Sequence, residues 1–176
     1  MSSKFLTICA IFCSLILTTT TSCSSDDDGG SGGGDPAANG VLKATIDGAG
    51  FESTPITSSL TIIETQSGKS FFITATDLQG RNITLQIALG YEGEGNYEIG
   101  GENLAFVNAS WIVVDISNPL NSETYVAPYD DTSVRGEMQI SSDDGSNVQG
   151  TFNFTAKLQS GSSVVNVTNG SFNLDY

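Results

Sequence analysis

The sequence predicts an all-β fold, an antiparallel β-sandwich or barrel of about ten strands, on three observations. First, apolar residues alternate with polar ones nearly everywhere past residue 40, the mark of strands with one buried and one wet face. Ile83, Leu85, Ile87 and Leu89 alternate with Asn82, Thr84, Gln86 and Ala88. Val148, Gly150, Phe152, Phe154, Ala156 and Leu158 face one way, and Gln149, Thr151, Asn153, Thr155 and Lys157 the other. Second, turn dipeptides punctuate the chain at short intervals: Asp47-Gly48, Ser67-Gly68, Gln79-Gly80, Asp144-Gly145, Ser160-Gly161 and Asn169-Gly170. Third, no window of helical length keeps a 3.6-residue period without a glycine or a β-branched run. Evenly spaced strands joined by hairpin turns read as a sandwich or barrel.

Element by element, strands are expected near Leu42–Asp47, Ser59–Glu64, Ser70–Asp77, Asn82–Leu89 and Asn96–Ile99. Further strands are expected near Trp111–Ile116, Glu123–Pro128, Gly136–Ser141, Val148–Leu158, Ser163–Val167 and Ser171–Tyr176. Gly90–Ser110 is the least regular stretch, a long loop or a short helical turn. Trp111, flanked by Ile112, Val113 and Val114, is expected in the core.

Ahead of this domain the chain carries an address. Lys4 precedes an apolar stretch, Phe5–Leu17, too short for a bilayer span of about 20 residues. Small residues Thr18–Ser22 follow, then Cys23. That order predicts a lipoprotein signal peptide over 1–22, cut before Cys23 and lipidated on it. Cys9 and Cys13 follow the bulky Ile8 and Phe12, which do not suit a cleavage site. Cleavage leaves one cysteine, so no intramolecular disulfide is expected. Several acyl chains on one residue would anchor the chain to a membrane. Residues 23–40 are nearly all Ser, Asp and Gly, a composition that reads as a flexible tether, with the all-β domain over 41–176.

The residues Cys23, Ser24, Ser25, Asp26, Asp27 and Asp28 resemble the lipidated start of Bacteroidota lipoproteins. There, an acidic stretch beside the acylated cysteine implies export to the outer face of the outer membrane. The domain itself is similar to uncharacterised Bacteroidota lipoprotein domains of unknown function. The residues that carry this likeness are Ala44, Thr45, Ile46, Asp47, Gly48 and Phe51 at the start. Gly150–Ala156 and Val167–Phe172 carry it at the end, with Tyr97, Gly136 and Ile140 between. The resemblance implies an all-β fold and brings no activity.

Absences narrow the chemistry. The sequence holds no histidine, and no cysteine beyond Cys23. Ser-His-Asp and Cys-His nucleophile systems and thiolate or imidazole zinc sites are therefore out of reach for the domain. No phosphate loop or dinucleotide fingerprint is present, and no cofactor is predicted. The net charge of −14, with 20 acidic residues, opposes nucleic acid as a partner.

Carboxylates remain. Glu92, Glu94, Glu98 and Glu102 cluster in the irregular stretch, and Asp130-Asp131 and Asp143-Asp144 sit at turns. A glycosidase needs two carboxyl groups about 5–10 Å apart, one with a raised pKa. Asp143-Asp144-Gly145-Ser146-Asn147 offers oxygens for calcium but lacks the spacing and distal glutamate of an EF-hand loop, so it reads as a hairpin turn and no metal site is predicted. Tyr125, Ala127 and Tyr129 alternate onto one face around Pro128, which suits an edge strand carrying an aromatic binding surface. The expected function is a surface-exposed, outer-membrane-anchored module, non-catalytic, binding a glycan or a partner protein. A carboxylate-based polysaccharide hydrolase and a purely structural envelope protein are the alternatives.

Overall fold

Eight antiparallel strands close into a barrel, and two more extend from its wall. The computed structural model describes residues 35–101, 107–131 and 133–176. The strands are β1 (Val41–Ile46), β2 (Ala49–Thr65), β3 (Gly68–Asp77), β4 (Arg81–Ile87), β5 (Gly95–Ile99) and β6 (Val107–Val113). They continue as β7 (Glu123–Ala127), β8 (Gly136–Asp143), β9 (Asn147–Leu158) and β10 (Val164–Asp175). Around the barrel the order is β10-β1-β2-β3-β4-β6-β7-β9, and β9 closes it by pairing with β10. The long β9 divides its other edge. Its last residues, Lys157 and Leu158, meet β7, while Val148–Phe154 pair with β8, which carries β5 outward.

The alternation read from the sequence is the inward set of this barrel. Ile83, Leu85 and Ile87 of β4, Gly150, Phe152, Phe154 and Ala156 of β9, and Phe172 and Leu174 of β10 are all buried. Aromatic rings run through the interior as a continuous series. Phe154 lies 6.2 Å from Phe152, Phe152 6.3 Å from Phe172, Phe172 6.3 Å from Phe71, and Phe71 4.9 Å from Tyr91. An eight-stranded barrel is just wide enough for its side chains to fill. Gly150 leaves room for its neighbours on β8 and β10, since a Cβ there would collide with the Gln139 carbonyl and the Phe172 ring. Trp111 is buried as expected, edge-on to Phe51 at 5.6 Å.

Turn chemistry sets the hairpins. Asp47 and Gly48 both have positive φ, at 46° and 85°, which the tight two-residue connection between β1 and β2 requires. The Asp47 carboxylate then takes the Asn166 backbone N–H at 2.9 Å, tying that turn to β10. At the β8–β9 turn, Asp144 Oδ1 accepts the Ser146 and Asn147 N–H groups at 2.9 and 2.8 Å. That is the role of an Asx turn, as the hairpin reading expected.

Four expectations need correction. Asn169-Gly170 is not a turn: Ser163–Val167 and Ser171–Tyr176 belong to the single strand β10, whose register against β9 slips between Val167 and Gly170. The same residue types that make turns also make bulges, where Asn169 takes its φ of 50°. β2 starts at Ala49, ten residues before Ser59, because Thr54–Thr57 is absorbed as a bulge. The Thr57 hydroxyl accepts the Thr54 N–H at 3.0 Å and replaces a ladder bond there. The tether boundary at residue 40 falls too late. Ala37 is buried, and Ser171 Oγ donates to the Asp35 carbonyl at 2.8 Å. Finally, β7 is not an edge strand, since it pairs with β6 along Glu123–Ala127 and with β9 at Tyr125 and Val126. A helical turn lies at Pro119–Asn121, between β6 and β7; of Gly90–Ser110, expected as a long loop or a short helical turn, residues 102–106 lie outside the described residues.

Candidate functional site

The connection from β4 to β5 brings Tyr91 over the mouth of the barrel. Its backbone N–H donates to the Lys69 carbonyl at 3.1 Å, which fixes it beside the start of β3. The ring stacks on Phe71 and reaches Tyr97 at 5.9 Å. Its hydroxyl donates to Asp143 Oδ2 at 2.8 Å. Tyr176, just past β10, donates to Asp143 Oδ1 at 3.0 Å, and the Gly145 N–H reaches the same oxygen at 3.1 Å. Tyr97 holds the loop between, accepting the Glu92 N–H at 3.0 Å and donating to the Gly93 carbonyl at 2.8 Å.

Above this cluster lies an open cleft of ≈ 570 Å³, within the range of ligand sites. Glu64, Lys69, Glu92 and Asp143 contribute its charged groups. Thr65, Ser67 and the glycine backbone at residues 68, 90 and 93 supply hydroxyl and peptide groups. Lys69 Nζ sits 3.6 Å from Glu64 Oε2, both side chains substantially in water. Such a pair contributes little to stability and leaves the ammonium free to turn toward a ligand.

Burial pushes the Asp143 carboxyl upward, but hydrogen bonds from Tyr91, Gly145 and Tyr176, with the Lys69 charge, outweigh it and hold the group below the usual carboxylate range. The Tyr91 phenol is driven well above its usual value by burial first, then by its bond to Asp143. These shifts fix the pH dependence of stability. A tyrosine raised on folding contributes fully below its unfolded value of about 10 and loses that contribution as pH climbs. A carboxyl lowered on folding contributes above about 3.9 and loses it as pH falls. Stability should therefore be level between about pH 5 and about pH 9 and fall on both sides. Tyr91→Phe should soften the alkaline fall, leaving the share of Tyr97, Tyr125 and Tyr176, which are also raised. Urea midpoints across the pH range would check this, and an alkaline limb identical in both proteins would contradict it.

The residues singled out from sequence scatter. Glu92, Glu94 and Glu98 are all exposed, and only Glu92 borders the mouth cleft; Glu102 lies outside the described residues. Cys23 and Ser24–Asp28 also lie outside them. Tyr125 offers no surface. Its ring is buried at 7% exposure inside the barrel, with its hydroxyl donating to Glu123 Oε2 at 3.0 Å. Tyr129 lies past the end of β7, so the two rings do not share a face. It borders a second cleft of ≈ 440 Å³, but the Arg135 guanidinium sits 4.1 Å over its ring. The cations there are already matched, Lys157 to Asp130 at 2.7 Å and Arg135 to Asp131 at 2.6 Å. The Tyr91–Asp143–Tyr176 cluster was not legible, because its members lie on the β4–β5 connection, at the end of β8 and just past β10, with no common spacing.

Fold and site together define a closed antiparallel barrel with a filled interior and a polar cleft at its mouth. The chain belongs to a family described as a domain of unknown function (DUF6252), whose profile matches residues 38–174. No curated protein and no solved structure matches it.

Proposed function

We propose that the protein is a lipid-anchored, surface-exposed module of the outer membrane that binds a glycan at the barrel mouth without transforming it. The cleft over Tyr91 carries this reading, for it combines ligand-site size with a wall of hydroxyl, peptide and charged groups. The anchor rests on Cys23 and the residues before it, and outward export on Ser24–Asp28. Three carboxylates against one ammonium favour a neutral or amine-bearing oligosaccharide over a sulfated or uronic one.

The gathering of Glu64, Glu92 and Asp143 beside Tyr91 favours one rival, a carboxylate hydrolase. A general acid needs a raised pKa, and Asp143 is shifted the other way, which supports binding over cleavage. A glycan array run with the protein, beside a polysaccharide-degradation panel, tests both. Binding to neutral or amino glycans without sugar release is expected. Lys69→Ala should weaken it about tenfold, the worth of one charge-assisted hydrogen bond. Released sugar would establish the hydrolase, and no binding on a broad array would remove the glycan reading.

A further inference from the structure

At the end of the barrel away from Asp143, large aliphatic side chains stand in water. Leu78 is 82% exposed, Ile116 78% and Leu120 95%. Leu78 is on the β3–β4 turn, and Ile116 and Leu120 are on the β6–β7 connection. β4 pairs with β6 through Arg81 and Val113, so these two connections leave the barrel side by side. A Cβ at Gly80 would lie 3.7 Å from Ile116 Cδ1. Val114 and Val164 add partly exposed apolar surface at the same end. Isolated exposed aliphatics are ordinary, but several on adjacent connections mark an interaction surface.

The course of the chain says which surface. Gly40 N–H donates to the Asn173 carbonyl at 2.7 Å, and Asp35 is bonded at Ser171, so going upstream the chain descends β10 away from the mouth. Asp35 lines a cleft with Gly50, Phe51 and Glu52. Those same three residues line the neighbouring cleft that contains Leu78. Asp35 lies twelve positions after Cys23, a span of at most about 40 Å. That direction and that reach allow an acyl group on Cys23 to enter a membrane that touches the apolar tips.

We propose that Leu78, Ile116 and Leu120 dock into the headgroup–acyl boundary of the bilayer that carries the anchor, so that the Tyr91 cleft faces away from the membrane. This rests on the lipid-anchor reading above. Interfacial docking by apolar side chains scales with the area they bury. Asp115 and Glu123 share the β6–β7 connection and its flank, so the docking suits zwitterionic lipid better than anionic lipid.

The test uses the lipidated full chain on phosphatidylcholine vesicles. The thiol of a lipidated Cys23 is blocked, so Leu120→Cys, Ile116→Cys and, at the mouth, Ser67→Cys each accept one environment-sensitive fluorophore. Quenching by brominated acyl chains should be at least threefold stronger at Leu120 and Ile116 than at Ser67. Equal quenching at all three sites overturns the docking. A blue shift at Leu120 that grows with protein concentration without vesicles assigns the face to a second copy and also overturns it. Flotation of wild type beside Cys23→Ala separates the two readings. If wild type does not float, the anchor fails and the docking with it; if it floats and Leu120 behaves like Ser67, only the docking fails.

Discussion

Asp77→Ala should destabilise the protein by about 3 kcal/mol, the largest effect expected of any polar substitution. Asp77 is 5% exposed, yet its carboxylate has all its partners. Oδ1 accepts the Gln79 and Arg81 N–H groups at 2.9 Å each, which builds the β3–β4 turn. Oδ2 takes Arg81 Nε at 2.6 Å. Arg81 then donates to the Gly50 carbonyl at 2.9 Å and lies 5.6 Å over the Trp111 ring, joining β2, β4 and β6 at one point. Alanine leaves two turn N–H groups and a largely buried guanidinium without their acceptor. Removing one partner of a buried pair costs about 3–5 kcal/mol, and the lower figure applies because water reaches a quarter of the Arg81 side chain. Asp77→Asn keeps an acceptor and should lose about half as much. Denaturant midpoints at unchanged m value check both, and a loss for alanine below about 1 kcal/mol would refute the hub.

Phe172→Ala should cost about 3–5 kcal/mol. The ring is 1% exposed and stands between Phe71 and Phe152, linking opposite walls of the barrel. Because β10 pairs with both β1 and β9, its backbone cannot collapse into the space left. The cavity term should therefore appear nearly in full. Phe172→Leu fills more of the space and should recover at least half of the loss. A thermal or denaturant series in which both variants match wild type would contradict a filled interior.

The fold was legible because a barrel strand keeps one face in and one face out, and β4 and β9 write that alternation without interruption. Closure was not legible, since alternation is the same in a sandwich, and what closes this barrel is β10 pairing on both sides. Asn169-Gly170 misled for a local reason. A left-handed residue followed by glycine serves a bulge as well as a turn, and only the strands on either side decide. Tyr125 misled for a longer-range one. Alternation places it on a face, but pairing of β7 with β6 and β9 turns that face inward. Tyr91 and Asp143 lie 52 residues apart, and register alone joins them.

The central claim is that the cleft over Tyr91 is where a ligand binds. Amide chemical-shift mapping during titration with neutral and amino-sugar oligosaccharides tests it most directly. The account predicts shifts gathered at Ser67, Gly68, Lys69, Gly90, Glu92 and Gly93, while Tyr129, Lys157 and Gln159 stay still. Shifts centred on Tyr129 and Lys157, or none with any oligosaccharide, would contradict it.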